Sequence, residues 1–452
     1  MKPIFLVTAL GLAGWWSGNQ SLPLLAAEAK ATQNQTAGEP WEAKPADAYF
    51  AMFHPRKAPA PAGLLLKAGD RLAICGDSIT EQKMYSRILE TYLTVAAPEL
   101  DLSVRQYGWG GETAPGFLAR MTNDCLRFQP TVATTCYGMN DHGYRRYEEA
   151  IGQRYQAAST AIVRAFRQAG ARVVLGSPGC VGKNPNWSQS KSSTLEDLNL
   201  NLCQLRNLDI EIAQAEQVAF ADVFWPMLTA GFAAQQKYGA EYAIAGKDGV
   251  HPGWAGQLVM AYAFLRALGL SGDIGTFTVD LPSDQAEVSP GHELLSCRAG
   301  ELQIRSRRYP FCAPAGDPAK DDQINSGLAL VPFPQELNRL RLVVPHAAAG
   351  SYRVTWGAAA RTYTAEQLRQ GINLAGEFVP NPFSEAYAKV DAAVAAKQAY
   401  ETRQIKDLFH GPEGRVDMEA TVALTEKARA PLVAAIRKAF TPVTHNLRIE
   451  PQ

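Results

Sequence analysis

Leu72-Ala73-Ile74-Cys75-Gly76-Asp77-Ser78-Ile79-Thr80 is the stretch on which the reading of the fold turns. Its first residues form an apolar run without polar alternation, the pattern of a strand buried on both faces. Gly76-Asp77-Ser78 then makes a small turn, and Asp and Ser are residues that cap a following helix. A strand that runs through such a turn into a helix puts Ser78 at the carboxyl edge of a sheet, where open α/β folds carry their sites. Taken alone, the triplet is more often a capped turn.

Outward from this stretch, short β-type runs alternate with longer helical patterns as far as Leu270, the signature of a parallel sheet flanked by helices. The expected strands are Arg71–Cys75, Leu102–Gln106, Thr131–Tyr137, Arg172–Gly176 and Val218–Val223. Helical periodicity covers Met84–Thr94, Tyr147–Ala169, Leu195–Ala215 and Trp254–Leu268.

Three further segments fall beside the ends of these elements. Asp248-Gly-Val-His251-Pro252 precedes the helix at Trp254; a carboxylate three residues before a histidine can hold one imidazole nitrogen and leave the other to take a serine proton. Gln106-Tyr107-Gly108-Trp109-Gly110-Gly111-Glu112 follows the second strand, and its glycines allow a backbone N–H to come close to a reacting oxygen. Gly138-Met139-Asn140-Asp141 follows the third strand and supplies a side-chain amide donor at Asn140. Each segment alone is a loop signal, but their joint order after successive strands is not expected by chance.

In these four blocks, between residues 74 and 252, the sequence resembles the GDSL, or SGNH, hydrolase family. The resemblance implies a flavodoxin-like α/β domain with Ser78 as nucleophile, His251 as base and Asp248 as its orienting carboxylate. It also implies an oxyanion hole made by Gly111, Asn140 and the Ser78 backbone N–H, with no metal or organic cofactor. Two departures are visible: Gln106 stands where the family more often has Asn, and Ile79 where it has Leu. Asp77 reads as support for the turn.

Beyond Ser271-Gly272 the texture becomes alternating and turn-rich, at Thr276–Leu281, Glu301–Arg307, Arg339–Val344 and Ser351–Trp356, which suggests a small antiparallel β unit. From Ser384 it turns Ala- and Lys-rich, and two helices, to Leu408 and from Met418 to Phe440, read as an antiparallel hairpin closing the chain. The expected layout is a signal peptide at 1–29, a linker at 30–68, the hydrolase domain at 69–272, a β-rich accessory region at 273–383 and a helical C-terminal region at 384–452. Lys397, Arg403 and Lys406 read as surface, as does the basic group Arg298, Arg305, Arg307 and Arg308. His54, His292, His346, His410 and His445 have no metal-ligand spacing.

The chain has 452 residues, with 44 Lys+Arg against 44 Asp+Glu, which gives no general electrostatic reason to bind nucleic acid or an anionic membrane. The one long apolar run, Ile4 to Trp16 behind Lys2, covers about 20 Å of a roughly 30 Å bilayer core, so it reads as a cleaved export signal and not as a stable span. Export would permit disulfides. Among the seven cysteines, Cys297–Cys312 is the first expected pair and Cys180–Cys203 the second, while Cys75 and Cys136 read as buried thiols. Trp109, Tyr137, His142 and Trp187 lie beside motif residues or on the loop after the fourth strand, and are the candidates to line a substrate pocket. Export, neutral charge and the lack of a long apolar lid favour deacetylation of a carbohydrate ester. A lipid esterase or thioesterase remains the alternative, and a non-catalytic glycan-binding protein a third reading.

Overall fold

The computed structural model describes residues 40–188 and 192–452; the expected signal peptide lies outside the described residues. Residues Trp41–Gln452 form one unit. Its centre is a five-stranded parallel sheet of β1 (Arg71–Gly76), β2 (Ser103–Gln106), β3 (Val132–Cys136), β4 (Arg172–Gly176) and β5 (Ala219–Ala221), in the order β2-β1-β3-β4-β5. This is the flavodoxin-like order, with the switch of winding direction between β1 and β3, so ligands are met at the carboxyl ends of those strands.

The apolar run at Leu72–Cys75 is buried on both faces because helices cover both. Leu72 and Ile74 pack into one core and Ala73 and Cys75 into the other, as the twofold alternation of a strand requires. The helices are α1 (Ser78–Glu81), α2 (Tyr85–Ala96), α3 (Ala114–Asp124), α4 (Glu149–Gln168), α5 (Leu195–Ala215), α6 (Phe224–Tyr238) and α7 (Trp254–Ala267). Of these, α3 and α6 were not marked by the sequence periodicity. The α5 terminus carries a reciprocal capping box between Thr194 and Asp197.

The stretch from Trp41 onward does not behave as the expected linker. Phe50 and Phe53 are buried against Phe224, Trp225 and Phe232, and Trp41 bridges to Arg56. The buried Arg206 accounts for the anchoring: its guanidinium donates to the Arg56 carbonyl at 2.7 Å and pairs with Asp222 and Glu42. Order therefore begins well before Arg71.

The accessory β region holds two sheets. One is mixed, in the order β13-β10-β6-β7, from β6 (Asp273–Asp280), β7 (Gln285–Val288), β10 (Arg339–Val343) and β13 (Ile372–Asn373). The other is antiparallel, in the order β12-β11-β14-β9-β8, from β8 (His292–Arg298), β9 (Glu301–Ser306), β11 (Ser351–Trp356), β12 (Ala359–Thr364) and β14 (Val443–Pro451). The two C-terminal helices are Ser384–Arg403, continued by a π-helical turn at Gln404–Phe409, and Met418–Ala439. They do not close the chain, because β14 follows them and enters the middle of the second sheet.

Several further expectations are corrected. Lys397 is not a surface residue: it is fully buried, 3.0 Å from Glu90 and 2.8 Å from Glu401. Lys406 is half-buried against Glu81. All seven cysteines are free. Cys312 turns its thiol toward the Pro310 carbonyl and Asn381, away from Cys297 on β8, and Cys180 and Cys203 are separate members of the buried core. Among the described residues no helix is long and apolar enough to cross a membrane, and no group of acidic, histidine or cysteine residues is arranged to hold a metal.

Candidate active site

The carboxyl end of β1 creates the first corner of the site. Gly76 has to be glycine, since a Cβ there would stand 2.0 Å from Thr80 Oγ1 and 2.9 Å from the Cys136 carbonyl. Asp77 caps α1 by accepting the Ile79 N–H at 2.9 Å, which leaves Ser78 as the first helical residue at the sheet edge. Burial pushes the Asp77 carboxyl up to about 7, against the opposing pull of its bond to the Ile79 N–H.

The second corner comes from the loop before α7. Asp248 Oδ1 accepts the backbone N–H groups of Val250 and His251, each at 2.9 Å, while Oδ2 lies 2.7 Å from His251 Nδ1. His251 Nε2 is 2.8 Å from Ser78 Oγ. A carboxylate only accepts, so Nδ1 carries the proton and Nε2 is the acceptor that faces the serine hydroxyl. Burial raises the Asp248 carboxyl, but the two backbone donors and the imidazole outweigh it and hold the group below its ordinary value, ionised. Gly249, at φ +85°, lets the loop turn between the two functional residues.

The third corner is formed by the loops after β2 and β3. Gly111 takes φ +72°, a left-handed conformation that favours glycine. Asn140 Nδ2 donates to the Glu112 carbonyl at 2.9 Å, and Asn140 Oδ1 accepts from the Tyr144 hydroxyl at 3.2 Å, so both ends of the amide are fixed. The amide nitrogen keeps its second hydrogen. Asp141 ties the loops together by accepting from the Gly138 and Ala114 N–H groups, each at 3.0 Å, and burial moves its carboxyl up to about 6. Glu112 is held by a two-pronged ion pair with the buried Arg120, at 2.6 Å on each prong, and Arg120 also reaches the Tyr107 carbonyl.

The structure thus brings together Ser78, His251 and Asp248, with Gly111 and Asn140 on the neighbouring loops. The four aromatic candidates divide. Trp187 is 46% exposed, its ring centroid 5.9 Å from that of His251 and 6.0 Å from that of Tyr144. It borders a cleft of about 800 Å3 shared with Tyr144, Arg145, Arg146 and Asp197. Tyr137 does not line this cleft; it is buried, stacked on Phe117 and bonded to Glu112. His142 is fully buried with Nδ1 on the Met139 carbonyl, and desolvation drives its ring down to about 4. Trp109 packs against His410, Arg120 and Lys406. Glu112, Arg120 and Tyr144 were not singled out from the sequence, where nothing but their proximity to the motifs marked them. Gln106 has a reason for departing from Asn: its longer amide donates to the Gly108 loop's outer neighbour, Thr402 of the first C-terminal helix, while its Oε1 accepts the Gly108 N–H at 2.8 Å.

Residues 74–259 match the GDSL-like lipase/acylhydrolase family, a range that contains all four blocks. This segment is a GDSL-like lipase/acylhydrolase domain. The protein that carries it is a serine ester hydrolase. Comparison with curated proteins gives no match. Among solved structures, a gut microbial diltiazem-metabolizing enzyme is similar at 21% identity and a TM-score of 0.69, over 87% of this chain and 100% of its own. That likeness in fold covers more of the chain than the GDSL-like domain alone. An acetylxylan esterase from Geobacillus stearothermophilus is similar at 21% identity and a TM-score of 0.38, over 46% of this chain and 97% of its own. A putative GDSL-like lipase from Parabacteroides merdae is similar at 22% identity and a TM-score of 0.38, over 46% and 99%.

Proposed function

We propose that the protein is an exported esterase that removes O-acyl groups, acetyl in preference to longer chains, from carbohydrate through an acyl-enzyme on Ser78. The observation that carries the reading is the unbroken line from Ser78 Oγ through His251 to Asp248, at 2.8 and 2.7 Å. His251 Nε2 takes the hydroxyl proton as Ser78 Oγ attacks the ester carbonyl. The negative charge that forms on the carbonyl oxygen is met by the Ser78 and Gly111 N–H groups and the free hydrogen of Asn140, donors each worth roughly 10²–10³ in rate. The protonated imidazole, stabilised by ionised Asp248, then gives its proton to the departing alkoxide. Water activated by the same nitrogen releases the acid, and the chain itself supplies every group the cycle needs.

The carbohydrate part of the reading rests on the cleft bordered by Trp187, whose ring centroid lies 5.9 Å from that of His251. Its wall is an exposed indole set edge-on to a tyrosine, with two arginines and an aspartate around it. An exposed aromatic face suits the stacked face of a sugar, and the surrounding polar groups suit hydroxyls better than an acyl chain. Export rests on the amino-terminal segment of sequence.

The test is hydrolysis of acetyl, butyryl and octanoyl aryl esters by the wild-type protein and by Ser78→Ala, followed by acetate release from acetylated glycans. Activity that depends on Ser78 and is greatest for acetyl supports the proposal. Rates that climb with acyl length replace the carbohydrate reading with a lipid one, and a folded Ser78→Ala protein with undiminished hydrolysis refutes the mechanism.

A further inference from the structure

We propose that Lys406, in the C-terminal region, is a positioning residue for the oxyanion loop, holding Gly110-Gly111 against the nucleophile helix through its ion pair with Glu81. The inference rests on the roles given above to Ser78 and Gly111, and it assigns the C-terminal helices a part in the reaction.

Glu81 is the hub of the contact. It is the last residue of α1, the short helix that opens with Ser78, and its N–H donates to the Asp77 carbonyl at 2.9 Å. The oxyanion loop crosses directly over it. A Cβ on Gly108 would stand 2.2 Å from the Glu81 nitrogen, and one on Gly110 would stand 2.8 Å from Glu81 Oε2 and 3.9 Å from Lys406 Nζ. At Gly108 backbone lies on backbone, and at Gly110 the backbone lies against the Glu81 carboxylate. The carboxylate of Glu81 therefore sits beside the residue that precedes Gly111, and its orientation affects where the Gly111 N–H points.

That carboxylate is fixed from outside the hydrolase domain. Lys406 Nζ is 2.7 Å from Glu81 Oε1, and the pair is half-buried. The nearer lysine in sequence, Lys83, does not replace it, since its ammonium donates to the Glu81 backbone carbonyl at 2.5 Å. Lys406 lies on the π-helical turn Gln404–Phe409, a widened turn of the kind often found at functional positions. The same region grips the rest of the loop. Glu401 accepts the Gln106 N–H and Thr402 meets the Gln106 side chain at the loop's start, while His410 packs on Trp109 and bonds Asp124 at 2.7 Å. Lys406 contacts the crest of the loop, next to the donor, and it also lies 5.4 Å from the Trp109 ring.

Loss of a whole oxyanion donor costs roughly 10²–10³ in rate, and a donor left in place but loosely held loses part of that. Lys406→Met should lower kcat on an acetyl aryl ester about tenfold, leave KM within about twofold and leave the folded fraction unchanged. Lys406→Arg should restore the rate, because a guanidinium can still pair with Glu81. Glu81→Gln should reproduce the defect, and the double variant should be no worse than either single one, since both break one contact. Lys389→Met removes an exposed lysine of the first C-terminal helix that pairs with Glu385, and it should behave as wild type. A folded Lys406→Met protein with undiminished kcat overturns the proposal, as does a defect confined to KM or one that is additive with Glu81→Gln. Ser78→Ala is measured beside them. If it is inactive and Lys406→Met is normal, the positioning role alone fails; if it is active, both readings fail.

Discussion

Replacing Lys397 by methionine keeps the volume of the side chain and removes one charge from a cluster enclosed between α2, β2 and the C-terminal helices. Two cations, Lys397 and Arg429, face two carboxylates, Glu90 and Glu401, at 2.6–3.0 Å, and all four side chains are buried. Burial raises the Glu90 carboxyl and Lys397 opposes it; burial likewise pushes Glu401 up, but Lys397, Arg429 and Arg105 carry it below its ordinary value. Without Lys397 the cluster holds one negative charge too many. Breaking a buried pair from one side costs about 3–5 kcal/mol. The least costly escape is to protonate Glu90, and taking a carboxyl of ordinary pKa, about 4.3, into its neutral form at pH 7 costs about 3.7 kcal/mol. The two figures agree in size, and because burial already raises the Glu90 carboxyl in the wild type the second is a ceiling, so a loss of up to about 4 kcal/mol is expected at pH 7.

The second figure also sets the pH dependence. A carboxyl whose folded pKa is raised contributes stability that is present below its unfolded pKa and lost as pH rises, so the Lys397→Met deficit should shrink on acidification to about 1 kcal/mol at pH 5. Lys397→Met with Glu90→Gln should recover most of the loss and lose the pH dependence, because the Gln amide can still accept from Gln398, now at 2.8 Å from Glu90. For a unit of this size, with about 2.1 cal/mol/K of unfolding entropy per residue, 4 kcal/mol is a fall in Tm of about 5 °C. Denaturant unfolding and calorimetry of wild type and both variants at pH 7 and pH 5 check these values. A deficit below about 1 kcal/mol at pH 7, or one that is the same at both pH values, refutes the reasoning.

Two further outcomes follow from the same geometry. Asp248→Asn should leave the fold intact and reduce kcat by on the order of 10²–10⁴ on an acetyl aryl ester, because an amide can stabilise the wrong imidazole tautomer and cannot stabilise the imidazolium; a loss under about threefold in steady-state kinetics would contradict the assigned role. Acid should weaken the accessory sheets. Trp356 donates to His445 Nδ1 at 3.1 Å, His445 Nε2 meets Ser306 at 3.0 Å, Ser306 meets His292 Nδ1 at 2.7 Å and His292 Nε2 meets the Ile274 carbonyl at 3.0 Å, a one-way chain that needs both rings neutral. Burial takes His445 down to about 3 and lowers His292. A depressed folded pKa gives stability that is present above the unfolded value near 6.5 and lost as pH falls, by up to about 1.4 kcal/mol per pH unit for each ring. The raised carboxyls of Asp77 and Asp141 act with the opposite sign, so the measurement is the difference in unfolding free energy between wild type and His445→Gln across pH 7 to 4; equal slopes would refute it.

The parts of this molecule that were legible in its sequence are those whose physics is local. The strand at Leu72, the cap at Asp77 and the Asp248-x-x-His251 spacing each involve residues within a few positions of one another, and a parallel sheet flanked by helices follows from alternating strand and helix, while the strand order was implied only by the family resemblance. The aromatic candidates were misjudged because adjacency along a chain is not adjacency in space. Tyr137 precedes Gly138, but successive residues of an extended chain face opposite ways, so Tyr137 points into the core beneath the site. Lys397 was misread because an Ala- and Lys-rich helix looks solvated on every face, and only the placement of α2 against it shows which face is enclosed. Trp187 differs in sitting on a loop that no core requires.

The end of the chain carries the largest lesson in non-local structure. In β14 the side chains of His445, Leu447 and Ile449 are buried and those between them are not, an alternation present in the sequence but overshadowed by the long helix before it. Its partners are β9 and β11, and the bond between Ser306 and His445 spans 139 residues. A strand in the middle of a sheet leaves one edge of each neighbour unpaired when it is absent, so the accessory β region cannot complete itself before the last residues are in place. The helices that precede β14 lie across β2 and the oxyanion loop, where Lys397, Glu401, Thr402 and Lys406 make their contacts. The appended half of the chain is thus tied at one end to its own sheet and at the other to the loops of the site. That coupling gives an esterase domain a physical reason to carry it.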